Sequence, residues 1–152
     1  MEKRIADLNK RLRSDGIASL IFAGIFFLLS CMQILNFFIQ NDSIFLKRGV
    51  QSLIMAIPLL LIYFIIRRTG ATGKPFDDKN IRDLRIISII VIIGGILPMA
   101  VESFVGVIIY DSVSVEIELF DLFIPLTGVI IGIISEIFVY GRDLQEDNDL
   151  IA

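Results

Sequence analysis

Four apolar runs, set apart by short charged segments, limit this chain more than any other feature does. They fall at 16–39, 50–66, 86–109 and 119–140. A helix rises about 1.5 Å per residue, so roughly 20 mostly apolar residues cross a hydrocarbon core about 30 Å thick. The 50–66 run lies near the lower limit, and the other three meet the requirement. Charges gather between the runs instead of alternating with apolar residues, which suits helices facing lipid and not amphipathic helices around a soluble core. Composition agrees: 55% of the residues are hydrophobic and the mean hydropathy is +0.80, above an ordinary soluble domain. The predicted fold is all-α, a polytopic membrane protein with a four-transmembrane-helix bundle in one domain over 1–152.

The lysines and arginines predict the orientation. Met1–Asp15 carries Lys3, Arg4, Lys10, Arg11 and Arg13, the segment after the second run carries Arg67, Arg68, Lys74, Lys79, Arg82 and Arg85, and the tail carries Arg142. The opposite set holds only Lys47 and Arg48. The positive-inside rule puts both termini and the central segment in the cytosol, in a bacterial cytoplasmic membrane. Tyr110 and Tyr140 stand at span ends, where interfacial tyrosines belong. The first run exceeds the 7–15 residues of a signal-peptide core, and it is expected to be retained.

Between the spans the local chemistry is specific. Ile5, Leu8 and Leu12 follow helical spacing, so Met1–Asp15 reads as a short surface helix or, more simply, a solvated basic anchor. Gln40–Gly49 reads as a short loop. The cytosolic hinge, 67–85, contains GKPFDDKNIRDLR, the longest polar interruption. Gly70, Gly73 and Pro75 end the preceding helix there. Asp77 is the expected N-cap of the next, with Phe76 and Ile81 as a hydrophobic staple and Asp78–Arg82 as a helical pair. Asp111–Phe120 alternates apolar and polar residues, so a short strand is possible, with the Gln40–Gly49 loop as its partner. The tail, 141–152, is polar and acidic.

Within the spans, Gln33 and Asn36 share a helical face and are expected to bond neighbouring helices as packing glue. Pro58 is expected to kink the second span, and Gly94-Gly95 with Pro98 to bend the third. Gly128 and Gly132 form a GxxxG, read first as packing within the chain and second as a dimer seam. Two ionisable residues fall inside apolar runs, Glu102 and Glu136. Intramembrane carboxylates are costly and therefore candidates for function. Glu136 lies near Tyr140, within reach of Arg67, Arg68 or Arg85, and reads as an interfacial ion pair. Glu102 lies in the outer half, within reach of Lys47 or Arg48. An ion pair and a polar, proton-linked cavity are equally open there.

Other chemistry is thin. The chain has no histidine and one cysteine, Cys31, which rules out imidazole sites, thiolate clusters and an intrachain disulfide. GATGK at 70–74 lacks the spacing and the Ser/Thr of a phosphate loop. No cofactor, no metal and no enzyme are expected. A formal charge of −3 gives no electrostatic footprint for direct nucleic-acid binding.

Two segments together resemble the bacterial four-span membrane family known as domain of unknown function 2975. They are GKPFDDKNIRDLR and EIFVYGRDLQEDNDLIA. The family pattern falls on Gly73, Pro75, Phe76, Asn80, Leu84 and Arg85, then on Glu136, Ile137, Phe138, Gly141, Leu144, Gln145, Asn148, Asp149 and Leu150. Ile151 stands where that pattern has Thr. Members are often encoded beside a small helix-turn-helix regulator of the Xre type. The resemblance therefore implies a non-enzymatic membrane partner for such a regulator. The hinge residues and Gly141, Leu144, Gln145, Asn148 and Asp149 would form the partner surface. The alternative expectation is a small transporter or channel built around Glu102; a homo-oligomer is compatible with either.

Overall fold

The computed structural model describes residues 2–111 and 117–151. It contains four helices: α1 (Glu2–Gln40), α2 (Ser43–Thr72), α3 (Asp78–Tyr110) and α4 (Leu119–Ile151). Each holds a stretch long and apolar enough to cross a membrane, so the chain is an all-α, multi-pass membrane protein. Each helix packs on its neighbour in sequence, α1 on α2, α2 on α3 and α3 on α4. The short connections turn the chain back each time. The start of α1, the 73–77 hinge and the end of α4 therefore share one end of the bundle, the hinge end. The α1–α2 turn and the segment before α4 share the other.

Among the described residues the interior is rich in small and polar side chains, with Ile81, Ile87 and Val91 as buried aliphatics, and the exterior is large and apolar. Ser19, Ser30, Ser88, Ser135, Ala23 and Ala56 are buried, whereas Phe22, Leu28, Phe38 and Ile39 are exposed. Lipid tails accept large apolar side chains as readily as a protein core does, so association depends on close approach and interhelix hydrogen bonds. Serine hydroxyls supply those bonds. Ser19 donates to Leu59 O (2.6 Å), Ser30 to Gly49 O (2.8 Å) and Ser88 to Gly128 O (2.8 Å). The amides expected in that role do not fill it: Gln33 Oε1 is buried without a hydrogen-bond partner, and Asn36 is only half-buried.

Close approach is built into α3 and α4. A Cβ on Gly128 would lie 2.9 Å from both Ile92 N and Ser88 O, so glycine is required for this backbone contact. One turn earlier, the Pro125 ring occupies the space a Cβ on Gly95 would need. The GxxxG thus serves packing within the chain. Pro58, Pro98 and Pro125 all lie inside helices, where neighbouring helices make such residues tolerable.

The helices outrun their apolar cores. They are 39, 30, 33 and 33 residues long, or about 45–58 Å at 1.5 Å per residue. Several expectations change accordingly. The N-terminal segment is not a separate surface helix but the first turns of α1. The acidic tail continues α4. Gln40–Gly49 is not a loop: a two-residue turn, Asn41–Asp42, suffices, and Asp42 caps α2 by accepting from Ile44 N at 3.0 Å. A strand at 111–120 therefore has no extended partner there. Residues 112–116 of that stretch lie outside the described residues, and no strand occurs among those described.

Candidate functional site

The hinge is held by its own polar groups. α2 runs through Gly70 and ends at Thr72. Gly73 adopts the left-handed conformation (φ 68°) and its N–H donates to Thr69 O at 2.8 Å, the αL stop that glycine makes cheaply. Asn80, in the first turn of α3, is fully buried. Its amide donates to Thr69 Oγ1 (3.1 Å), Lys74 O (3.3 Å) and Pro75 O (3.2 Å), and its oxygen accepts from Arg68 (2.9 Å). Arg68 also bonds Asp83 at 2.9 Å. One side chain thus bonds the end of α2, the hinge backbone and the start of α3. Asn80 is accordingly corrected from a surface residue to the internal tie of the hinge. Asp77 stands at the N-cap position without a side-chain cap bond, and Asp78 pairs with Arg142 of α4 and not with Arg82.

That pairing joins hinge to tail. Phe76 meets Phe138 edge to face with ring centres 5.1 Å apart. Gly141 lets the ring lie where it does, since a Cβ there would sit 3.1 Å from Phe76 Cε1. Arg85 donates through Nε (3.2 Å) and Nη2 (2.9 Å) to one oxygen of Glu136, the interfacial ion pair expected for that glutamate. A cleft of about 160 Å³ opens where the segments meet, lined by Lys74, Phe76, Asp77, Asp78, Arg142, Gln145 and Glu146. Of the expected surface residues, Phe76 and Gln145 line it; Gly73, Pro75, Arg85, Leu144 and Gln145 are exposed, and Leu84 and Gly141 are half-buried. The side chains of Asn148 and Asp149 lie outside the described residues.

The opposite end holds a second cluster. Lys47 Nζ lies 2.8 Å from Asp121 and 3.4 Å from Glu102. All three residues are at least 98% buried, with 1–2% exposure each. Gln51 donates to Asp121 Oδ1 at 3.3 Å and Glu118 N to Asp121 Oδ2 at 3.0 Å, while Arg48 pairs with Glu118 at 2.5 Å. The group ties α2, α3 and α4 together. Glu102 Oε2 lies at the longer distance from Lys47 and has no close hydrogen-bond partner. Of the two readings of Glu102, the ion pair is the one formed.

Asp83 and Asp121 were missed from the sequence. Asp121 opens the fourth apolar run as Glu136 nears its close, and it too is a carboxylate within a span. Glu102 and Glu136 belong to different ends and cannot act on one substrate atom. Among the described residues no group of three or more His, Cys, Asp or Glu could hold a metal ion. Comparison with known proteins found no matching family model, no matching curated protein and no matching solved structure.

Proposed function

We propose that this chain is a non-enzymatic regulator or accessory protein of the bacterial cytoplasmic membrane. Its hinge end is the docking surface for a small Xre-type helix-turn-helix regulator. The observation that carries the reading is the union of the two resemblance segments. They lie far apart in sequence, yet Phe76, Phe138 and Gly141 pack together and Asp78 pairs with Arg142. A surface assembled from both can be read by a partner that neither would bind alone. Exposed Asp143, Glu146 and Asp147 add negative charge beside it, which suits the basic face of a DNA-binding domain and would compete with DNA for it.

Co-purification with an Xre-type helix-turn-helix regulator tests this. Retention by the intact chain and loss on truncation at Tyr140 supports the docking surface. No retention by either form removes it. The transporter alternative drew on a polar cavity at Glu102. That residue is 2% exposed and paired with Lys47, which favours the docking reading over the transporter one.

A further inference from the structure

A cleft of about 440 Å³ lies between α1 and α2 at the hinge end, within the 300–1,000 Å³ usual for small-ligand sites. Arg13 and Arg67 stand at it, and Ile17, Ile66 and Tyr63 form apolar walls beside the buried Gly16. The Tyr63 ring packs on the Gly16 backbone, 3.6 Å from where a Cβ would be. Among the exposed cations of the hinge end, these two are the ones that line the cleft. Arg68, Arg85 and Arg142 each pair with a carboxylate. Arg13 and Arg67 are exposed and form no ion pair among the described residues. They sit where the apolar runs of α1 and α2 meet the charged ends, the depth of phospholipid headgroups.

We propose that this cleft binds the phosphate of an anionic phospholipid, with Arg13 and Arg67 on the headgroup and an acyl chain along Ile17 and Ile66. Guanidinium groups match phosphate oxygens in geometry and charge, and basic pockets between transmembrane helices are suited to anionic headgroups. The apolar walls continue into the lipid-facing surface, which favours a lipid over a soluble anion. The site is separate from the hinge–tail surface and does not depend on the regulator.

The test is lipid retention by the full chain in neutral detergent, measured by native mass spectrometry with phosphatidylglycerol and with phosphatidylcholine of the same acyl chains. Phosphatidylglycerol is expected to bind more tightly by about thirtyfold, the factor two surface cations confer at ordinary ionic strength. R13Q/R67Q should bring it to the phosphatidylcholine level, whereas the charge-matched R11Q/K79Q, away from the cleft, should leave the preference intact. G16L, which fills the cleft with both arginines present, should also lose it. Equal binding of the two lipids overturns the proposal, as does a preference that survives R13Q/R67Q or falls equally in R11Q/K79Q. Full displacement by millimolar inorganic phosphate would assign the site to a soluble anion instead.

Discussion

The Phe76 ring of the hinge stands edge-on to the Phe138 ring of α4, at an interplanar angle of 76°. Through this contact the α2–α3 connection and the far end of the chain become one surface. Aromatic pairs of this geometry couple by about 0.5–1.5 kcal/mol beyond the area they bury. A double-mutant cycle of Phe76→Ala and Phe138→Ala, followed by thermal unfolding in detergent, should return a coupling of about that size. A coupling near zero would mean that hinge and tail move independently.

Asn80 and Gln145 should separate architecture from recognition. Asn80→Ala removes the internal hydrogen bonds of the hinge and should cost about 1–3 kcal/mol for the buried groups left unpaired. Gln145→Ala, on an exposed side chain, should leave unfolding unchanged and weaken capture of the regulator. If Asn80→Ala unfolded like the unsubstituted chain, the hinge would not depend on the bonds seen here.

Lys47 is the only cation facing Glu102 and Asp121 among the described ion pairs. Removing one member of a buried charge group leaves the others uncompensated, at about 3–5 kcal/mol, whereas removing all the charges together is often close to neutral. Lys47→Met alone should therefore lower the unfolding midpoint strongly. The triple variant K47M/E102Q/D121N should recover most of the loss. A triple variant as unstable as the single one would show that packing, not charge balance, dominates this end.

Gly128 and Gly24 provide a matched pair for helix packing. Gly128 meets the α3 backbone, while a Cβ on Gly24 would have nothing within 4 Å. Gly128→Leu forces α3 and α4 apart and should cost at least the 1–3 kcal/mol typical of overpacking. Gly24→Leu should be tolerated within about 0.5 kcal/mol, as substitutions away from close contacts usually are. Thermal unfolding of both in one detergent decides it.

The sequence revealed four spans because an apolar run of bilayer length has few other uses. The hinge was legible because Gly73 and Pro75 punctuate it. Helix ends were not, because a helix that leaves lipid can continue in water with polar residues, as α4 does to Ile151. The sequence pattern puts Lys47 in a loop because charge ordinarily marks a boundary. Two carboxylates from distant helices neutralise it, and no local pattern reports that. The amides Gln33 and Asn36 stood out by residue type, yet serines make the interhelix bonds, since short hydroxyls let backbones come close. Asn80 matched the resemblance pattern, but only the structure distinguishes an internal tie from a surface residue.

The central claim is that hinge and tail share one cytosolic face of a four-span bundle, and the most direct measurement is its sidedness. In a Cys31→Ser background, Lys79→Cys at the hinge end and Gln40→Cys at the opposite end are both exposed positions. Intact cells treated with a membrane-impermeant maleimide should label Gln40→Cys at once and Lys79→Cys only after permeabilisation. Labelling of Lys79→Cys in intact cells, with Gln40→Cys protected, would contradict the topology and the docking surface with it.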